Sequence, residues 1–128
     1  GRWQTLSEKP LVICDTGHNE DGIKEVLQNL STYSYKQLHF VIGVVNDKDV
    51  SSILDLLPKD AIYYLTKASV PRALPETELK EKAEAAGLKG NTFSNVKEAL
   101  EAAKKKAKAN DLIFVGGSTF VVADVLAI

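Results

Sequence analysis

The feature that most constrains the fold of this chain is the repeated switch in its hydrophobic pattern between short apolar runs and helical spacing. Short apolar runs, typical of buried strands, occupy residues 11–14, 38–45, 61–65 and 111–115. Between these runs, apolar residues recur at helical spacing; the first such stripe consists of Ile23, Val26, Leu27 and Leu30. Because parallel strands require a crossover and the crossover is usually a helix, the pattern predicts an α/β fold. We expect a Rossmann-like, mostly parallel sheet with helices on both faces.

Capping residues indicate where the predicted helices begin and end. Asp49 precedes a short helical stripe and can cap it. Pro75 and Gly87 bracket a second stripe, since proline suits the first turn of a helix and glycine its end. Asn95 followed by Glu98 resembles a capping box at the start of the last long stripe. These signals divide the chain into alternating strands and helices.

The two ends of the chain carry weaker patterns. Residues 3–6 favour a strand that would lie antiparallel to residues 11–14, with the turn at residues 7–10. Residues 120–128 are ambiguous, because their β-branched content favours a strand whereas their position after a glycine-containing turn favours a helix. We predict an antiparallel edge strand at the N-terminal end and a helix at the C-terminal end.

The size and charge of the chain exclude several classes of protein. Its 128 residues fit one compact domain with a real core. Its 16 basic residues nearly balance 17 acidic ones, so we expect neither nucleic acid nor an anionic membrane as a partner. The lysines between residues 104 and 108 fall late in a predicted helix and are interpreted as a solvated face.

Cysteine content and hydropathy indicate a cytoplasmic protein. Cys14 is the only cysteine, which excludes an internal disulfide and a thiolate zinc cluster and suits a reducing compartment. No apolar run approaches the ~20 residues that span a bilayer, and residues 1–4 lack the layout of a signal peptide. The sequence contains no methionine, so we expect Gly1 to begin a fragment of a longer protein.

Polar and glycine residues follow the predicted strands. Ligands of open parallel sheets bind beyond the carboxyl ends of the strands. The segments found there are Asp15-Thr16-Gly17-His18, Asn46-Asp47-Lys48-Asp49, Lys67 with Arg72, and Gly116-Gly117-Ser118-Thr119. We therefore expect these segments to share one edge of the sheet and any site to lie there.

Asp15 and His18 each allow a functional and a structural interpretation. The carboxylate of Asp15 can accept hydrogen bonds from two vicinal ribose hydroxyls, or it can cap the turn or helix that follows; the pattern favours neither. His18 can donate to a phosphate or a carboxylate, although a lone histidine near a helix start is more often structural. His39, inside a strand run, shows no partner signal and is interpreted as packed in the core.

The last glycine-containing segment is equally open. Gly116-Gly117-Ser118-Thr119 can expose backbone N–H groups to an anion at a helix N-terminus, but a tight turn with a serine or threonine cap explains the same residues. Residues 47–49 are interpreted as a solvated turn that caps the next helix. The sequence has no phosphate-loop or dinucleotide fingerprint, and its two histidines are too far apart for a metal-ligand cluster. On this chemistry alone, the chain looks like half of an active site.

Several motifs together resemble one family. They are Gly1-Arg2 near the start, Asp15-Thr16-Gly17-His18-Asn19 after the first core strand, Gly43 with Asp47-Lys48-Asp49 after the second, and Gly117-Ser118 after the last. In order and spacing they resemble the C-terminal domain of folylpolyglutamate synthase/dihydrofolate synthase, a member of the Mur ligase superfamily. The resemblance spans nearly the whole chain.

The resemblance implies an ATP-dependent amide ligase. In that family, ATP phosphorylates a carboxylate to an acyl phosphate, and the amine of L-glutamate attacks it to give the amide; the acceptor is dihydropteroate or a folate. The ATP phosphates and the Mg²⁺ ion are held mainly by a larger N-terminal ATPase domain, which is absent from residues 1–128. The resemblance therefore implies that this chain is the glutamate ligase domain, that its partner is its own N-terminal domain, and that it is inactive alone.

The same resemblance assigns roles to four residues. Arg2 matches the arginine that reaches the nucleotide, and Asp15 matches the carboxylate that holds the ribose. His18 matches a position associated with ATP and with the incoming glutamate, and Ser118 matches one that binds glutamate near the phosphate end. The resemblance assigns no metal ligand within this chain.

Two residues depart from the family pattern. Gly17 and Glu20 stand where the family commonly has alanine and proline, so loop rigidity and local charge differ. Glu20 near a helix start suits the helix dipole but opposes a nearby anionic substrate. The His18-Asn19 pair favours the folate branch; a Mur-type ligase acting on a peptidoglycan precursor and a non-catalytic α/β binding module are the alternatives.

Overall fold

The computed structural model describes residues 3–46 and 49–128, which form an alternating series of strands and helices. In chain order the elements are β1 (Gln4–Glu8), β2 (Leu11–Cys14), α1 (Glu20–Leu30), β3 (Leu38–Ile42), α2 (Val50–Leu56), β4 (Ile62–Leu65), α3 (Glu76–Ala85), β5 (Gly90–Thr92), α4 (Val96–Lys106), β6 (Leu112–Gly116) and α5 (Thr119–Leu126). Within these two described ranges, the helices are all too short or too polar to cross a membrane.

The strands form one sheet in the order β1-β2-β6-β3-β4-β5. Strands β2, β6, β3, β4 and β5 are parallel, and β1 pairs with β2 in the antiparallel direction. Strand β1 extends to Glu8, beyond the predicted residues 3–6, and reaches β2 through a turn with a cis peptide bond at Lys9-Pro10. The predicted α/β fold, with a mostly parallel sheet and an antiparallel N-terminal edge strand, is confirmed.

Helices cover both faces of the sheet. Successive residues of a strand point to opposite faces, so the buried strands present apolar side chains on both sides. On one face, α1, α2 and α3 pack against a core that includes Phe40 and Phe114. On the other face, α4 and α5 pack against Val41 and Val115. The prediction of helices on both faces is confirmed, and the C-terminal segment forms the predicted helix as α5.

Two strands differ from the sequence-based expectation. Strand β5 carries no periodic signal, because its three residues include no apolar side chain. It forms through backbone pairing with β4, where an added Cβ on Gly90 would lie 2.2 Å from the carbonyl oxygen of Tyr63. Strand β3 ends at Ile42 rather than at residue 45, and Val45 makes an isolated antiparallel bridge with Ala73.

Side-chain caps fix the starts of α1 and α4. The side chain of Asn19 accepts a hydrogen bond of 2.8 Å from a backbone N–H in the first turn of α1. Asn95 does the same at α4, where it accepts from the N–H of Glu98 at 2.8 Å. The Glu98 carboxylate accepts from the Ser94 hydroxyl rather than from the backbone N–H of Asn95, so only the Asn95 half of the predicted capping box is observed. Gly87, with φ of +83°, ends α3 as predicted, in a left-handed conformation that favours glycine.

Candidate functional site

The loops that follow β2, β6 and β3 meet at one edge of the sheet. Parallel pairing places Cys14 opposite Val115 and Ile42 opposite Gly116, so the three strands end side by side. The segments that follow them, residues 15–19, 43–46 and 117–118, are together termed the carboxyl rim. Ligands of open α/β sheets bind at this edge.

The carboxyl rim contains the point where the chain connections diverge. The chain leaves β2 for α1 on one face of the sheet and leaves the neighbouring β6 for α5 on the other face. Adjacent loops that turn to opposite faces open a crevice between them. Asp15 and Ser118 lie on the two sides of this point, so the sheet topology brings together residues that are far apart in the sequence.

Asp15 is held tightly in the first loop of the rim. Its backbone N–H donates to the carbonyl oxygen of Val115 at 3.3 Å, which extends the β2–β6 pairing by one residue. Its side chain is 3% exposed, and Oδ1 accepts a hydrogen bond of 3.1 Å from the N–H of Gly17. The turn-capping interpretation of Asp15 is therefore observed, and the carboxylate is fixed at the end of β2.

His18 lies on the exposed side of the same loop. Its Nδ1 is 3.2 Å from the carbonyl oxygen of Thr16. When Nδ1 carries the proton and donates to that oxygen, only the doubly protonated ring offers a second N–H, at Nε2, to an anion.

Gly17 packs directly on the first turn of α1. A Cβ added to Gly17 would lie 2.9 Å from the carbonyl oxygen of Gly22 and 3.2 Å from a methyl carbon of Val26. A Cβ added to Gly22 would in turn lie 3.1 Å from the Cα of Gly17. Gly17, where the family commonly has alanine, therefore lies at a point where the loop closely approaches α1.

Ser118 is the N-cap residue of α5 and is 2% exposed. Its Oγ accepts a hydrogen bond of 3.0 Å from the N–H of Val121, so the capping interpretation of this segment is observed. The preceding Gly117 has φ of +102°, and a Cβ there would lie 2.6 Å from the carbonyl oxygen of Gly43. Only glycine fits this crossing of the β6 and β3 loops.

Arg2 lies outside the described residues, as do Asp47 and Lys48 of the loop after β3. The role that the family resemblance assigns to Arg2 therefore stays a prediction. Asp49, at the end of the same loop, occupies the predicted N-cap position of α2, but its side chain makes no capping hydrogen bond to that helix.

The loop after β4 is tied to the rim by contacts that the sequence does not indicate. The N–H of Asn46 donates to the carbonyl oxygen of Arg72 at 2.8 Å, which joins the loops after β3 and β4. The carboxylate of Asp124 on α5 accepts from both the N–H and the hydroxyl of Ser69, each at 2.8 Å. A helix cap can be recognised in a sequence because its two partners lie a few residues apart. Ser69 and Asp124 lie 55 residues apart, so the sequence gives no local sign of their contact.

His39, interpreted from the sequence as a packed core residue, is buried but has two partners. Its Nδ1 is 2.8 Å from the hydroxyl of Tyr64, and its Nε2 is 2.9 Å from Oδ2 of Asp111. The same oxygen of Asp111 accepts from the N–H of Lys108 at 3.0 Å. This network lies near the amino ends of the strands, away from the rim, so it stabilises the fold and is remote from the candidate site.

The titration of the buried network follows from its surroundings. Burial, and next the charge of Asp111, raises the pKa of Tyr64 to about 12. Burial acts to raise the pKa of Asp111 as well, but hydrogen bonds from the backbone of Lys108 and from His39 outweigh it and hold that pKa below its usual value. Asp111 is therefore a stable carboxylate in the folded chain.

Charge near the start of α1 is partly balanced. Glu20, the acidic departure from the family pattern, lies 3.8 Å from the ammonium of Lys24 one turn later. Both side chains are more than half exposed, so this pair is weak. In the part of the chain that the structure describes, His, Cys, Asp and Glu side chains form no group of three suited to a metal ion.

Comparison with known proteins gives a consistent result. The family model for the Mur ligase, glutamate ligase domain matches residues 1–119. The chain is similar to the dihydrofolate synthase/folylpolyglutamate synthase of Escherichia coli (strain K12), with 31% identity over 131 residues, covering 100% of this chain and 30% of the relative. It is also similar to the probable bifunctional folylpolyglutamate synthase/dihydropteroate synthase of Haloferax volcanii, with 32% identity over 125 residues, covering 97% of this chain and 15% of the relative.

Solved structures show the same likeness. Escherichia coli FolC in complex with DHPP and ADP superposes with a TM-score of 0.89 and 31% identity, covering 99% of this chain and 30% of that one. A bifunctional folylpolyglutamate synthase/dihydrofolate synthase with Mn, AMPPNP and L-glutamate bound gives a TM-score of 0.89 and 30% identity over the same shares, 99% and 30%. The chain thus spans less than a third of the length of these similar proteins.

Proposed function

The chain belongs to the Mur ligase, glutamate ligase domain family, and from this premise we propose that it completes the active site of an ATP-dependent ligase that adds L-glutamate to dihydropteroate or folate. This membership confirms the family resemblance of the sequence motifs. The observation that carries the proposal is the convergence of Asp15 and Ser118 on the point between β2 and β6 where the loops diverge.

The proposal includes a second domain. Because the chain corresponds to 30% of the Escherichia coli relative, the remainder would include the larger N-terminal ATPase domain. That domain would hold the ATP phosphates and Mg²⁺. The described residues of this chain offer no cluster of three metal-ligating side chains.

Asp15 and Arg2 would serve ATP. An ionised carboxylate has about four lone-pair positions, so Asp15 keeps acceptor capacity for ribose hydroxyls beyond the bond from Gly17. The guanidinium of Arg2 would neutralise charge that develops on the transferred phosphoryl group. His18, in its protonated form, would donate Nε2–H to a phosphate oxygen or to glutamate.

Ser118 would serve L-glutamate. Its Oγ accepts from Val121, and the hydroxyl proton is then available to donate to a carboxylate oxygen of glutamate or to a nearby phosphate oxygen. The N-terminus of α5, which begins directly after Ser118, adds a favourable partial positive charge for such an anion.

In the proposed reaction, the rim residues would position the substrates rather than form covalent bonds with them. Transfer of the γ-phosphoryl group of ATP to the substrate carboxylate gives an acyl phosphate and ADP. The amine of L-glutamate then attacks the acyl carbon, the amide bond forms, and phosphate leaves. The rim residues would bind and orient ATP and glutamate for these two steps.

Two alternatives use the same fold. A Mur-type ligase for a peptidoglycan precursor would share the ATP chemistry, and a binding module would share only the architecture. The similar proteins of Escherichia coli and Haloferax volcanii are named as folylpolyglutamate synthases, which favours dihydropteroate or folate as the acceptor.

Incorporation of radiolabelled L-glutamate tests the proposal. The full-length protein is expected to label dihydropteroate or folate in an ATP-dependent manner, and the 128-residue chain is expected to label neither. A muramyl-peptide acceptor, offered in parallel, separates the folate ligase from the peptidoglycan ligase. Glutamate addition by the 128-residue chain alone, or transfer by the full-length protein to neither dihydropteroate nor folate, would contradict the proposal.

A further inference from the structure

Exposed large hydrophobic side chains are concentrated at the C-terminal helix. Phe120 and Leu126 lie on α5 and are 36% and 50% exposed, and Ile128, which follows the helix, is 62% exposed. Within residues 3–46 and 49–128, every exposed large hydrophobic side chain belongs to this group. Single exposed apolar residues are normal on a protein surface, but a group of them on one element indicates an interaction surface.

The outer side of α5 lacks the charges that solvated helices carry. Its exposed positions fall on one side at helical spacing and are termed the α5 face: Thr119, Phe120, Ala123 and Leu126. None of the four is charged. Helix α4 covers the same side of the sheet, and its exposed positions are all charged: Lys97, Glu98, Glu101, Lys104, Lys105 and Lys106. The α5 face therefore differs from a surface that is built to meet water.

Helix α5 lies across the carboxyl end of the sheet. Its N-cap residue, Ser118, follows β6. One turn later, a methyl carbon of Val121 packs on the loop after β3, where it would lie 2.8 Å from a Cβ added to Gly43. Asp124 then accepts two hydrogen bonds of 2.8 Å from Ser69 in the loop after β4. Because β6, β3 and β4 are neighbours, α5 follows the edge of the sheet and its face lies beside the carboxyl rim.

The polypeptide enters the domain at the same edge. Strand β1 runs antiparallel to β2, and Gln4 at its start pairs with Cys14 at the end of β2. Any domain that precedes β1 is therefore attached at the carboxyl edge, along which α5 lies. The chain corresponds to 30% of the Escherichia coli relative, and the proposed function places the larger part of the full-length protein before β1.

We propose that the α5 face docks against the larger N-terminal domain of the full-length protein. This inference rests on the proposed function, which supplies that domain. Covalent attachment at the same edge gives the N-terminal domain a high effective concentration at the α5 face, which favours it over a second copy of the chain. The surface that meets Phe120 and Leu126 is apolar, because a charge buried against them would lose its hydration without a partner.

Photo-crosslinking of the full-length protein identifies what covers the α5 face. Phe120→p-benzoylphenylalanine keeps an aromatic ring, and irradiation is expected to link it to a peptide of the N-terminal domain in the same molecule, identified by mass spectrometry. Ala85→p-benzoylphenylalanine is the matched control. Ala85 is exposed at the end of α3, and the adjacent Ala86 accepts from Lys59, which precedes β4 and so lies at the opposite edge of the sheet. No link from position 85 to the N-terminal domain is expected.

The other outcomes of the cross-linking experiment each overturn the proposal. A link between two molecules would identify a second copy of the chain as the occupant. Links confined to residues 1–128, or no link at all, would show that the N-terminal domain does not reach the α5 face. Equal linkage to the N-terminal domain from positions 85 and 120 would show that the contact is not specific to this face.

Charges placed on the α5 face test the same contact without a cross-linker. Phe120→Glu lies in the first turn of α5 and Leu126→Lys at its end, so each charge suits the helix dipole and the helix is expected to keep its stability. Together they are expected to raise the radius of gyration of the full-length protein by about 10% in small-angle X-ray scattering, as the domains separate. Ala85→Lys, also at the last residue of a helix, is expected to leave it unchanged. A wild-type radius in the double variant would overturn the proposal.

The glutamate-incorporation assay distinguishes failure of this inference from failure of the proposed function. If the wild-type protein adds L-glutamate to dihydropteroate or folate but Phe120→p-benzoylphenylalanine gives no link to the N-terminal domain, only the docking surface is wrong. If the link forms but the wild-type protein labels neither acceptor, the docking surface is confirmed and the ligase reaction is wrong.

Discussion

Single side chains at the carboxyl rim have structural roles that can be separated from their proposed functional ones. Asp15 accepts from the N–H of Gly17, and Ser118 accepts from the N–H of Val121. The structural interpretations of both residues are therefore observed. They do not exclude ligand contacts, because a carboxylate has further lone pairs and a hydroxyl has its own proton to donate.

Two substitutions of Asp15 separate its turn bond from its charge. Asp15→Asn keeps an oxygen that can accept from Gly17 but loses the charge, whereas Asp15→Ala loses both. In the full-length protein, we expect both variants to bind ATP about 10-fold more weakly, measured by titration calorimetry. Only Asp15→Ala is expected to lower the free energy of unfolding, by about 1 kcal/mol in urea. Wild-type ATP affinity in both variants would rule out the ribose role.

The Asp111 carboxylate gives the stability of the domain a pH dependence. Its pKa in the folded chain is lower than its unfolded value of about 3.9, so the unfolded state binds protons first as the pH falls. The stabilisation is complete above that value and is lost as the pH drops below about 4 toward the folded-state pKa.

Comparison with Asp111→Asn isolates this contribution. At pH 7 we expect the variant to be less stable by about 1 kcal/mol or more, because His39 and the backbone of Lys108 lose a charged acceptor. The difference from wild type should shrink as the pH falls below about 4, measured by urea unfolding at a series of pH values. Asp55→Asn, at an exposed aspartate on α2, is the control. A difference that is constant with pH would show that the charge of Asp111 is not the source.

The turns between strands and helices determine where the rim residues lie. Gly117 and Gly87 both have positive φ, +102° and +83°. At Gly117 an added Cβ would meet the carbonyl oxygen of Gly43 at 2.6 Å, whereas at Gly87 the nearest atom is in the flexible Lys59 side chain at 3.4 Å. The β6–α5 turn is therefore constrained by the neighbouring loop after β3 as well as by its own backbone.

Alanine at these two glycines should have unequal effects. Gly87→Ala carries the left-handed backbone penalty alone, and we expect it to lower the free energy of unfolding by about 1 kcal/mol. Gly117→Ala adds a backbone clash and is expected to lower it by about 2 kcal/mol more. Urea unfolding of both variants checks the ranking. Equal losses would mean that the β6 and β3 loops separate easily, and Ser118 would then not be rigidly held.

Elements with strong periodicity could be predicted from the sequence, and those held by backbone pairing could not. The helix α1 shows its stripe and its cap at Asn19 within one local window. Strand β5 has three residues without an apolar side chain, and only pairing with β4 defines it. The bridge between Val45 and Ala73 could not be predicted either, because its two residues lie in different loops.

The candidate site also combines features that could be predicted from the sequence with contacts that could not. Placing polar residues after strands was enough to predict that Asp15 and Ser118 share one edge, since parallel strands end together. The bond between His39 and Asp111 joins residues 72 positions apart and leaves no local pattern. The cluster of Trp3 with Tyr33 and Phe114 likewise depends on the fold.

The whole domain has one edge suited to ligands and one that stabilises the fold. The carboxyl rim gathers the divergent loops, the N-cap of α5 and the carboxylate of Asp15. The opposite edge holds the buried network of His39 and Asp111 beside a cleft of about 400 Å³. Under the proposed function, the N-terminal ATPase domain would supply the second wall of the site at this rim.

Separate KM values for ATP and L-glutamate in the full-length protein test the central claim most directly. Asp15→Asn is expected to raise the KM for ATP about 10-fold and to leave that for glutamate unchanged, whereas Ser118→Ala should do the reverse by about 5- to 10-fold. Asn95→Ala, which removes an equivalent cap from α4, should change neither value. Wild-type values in both rim variants, or the same changes in Asn95→Ala, would contradict the claim that the carboxyl rim is the ligand-binding wall.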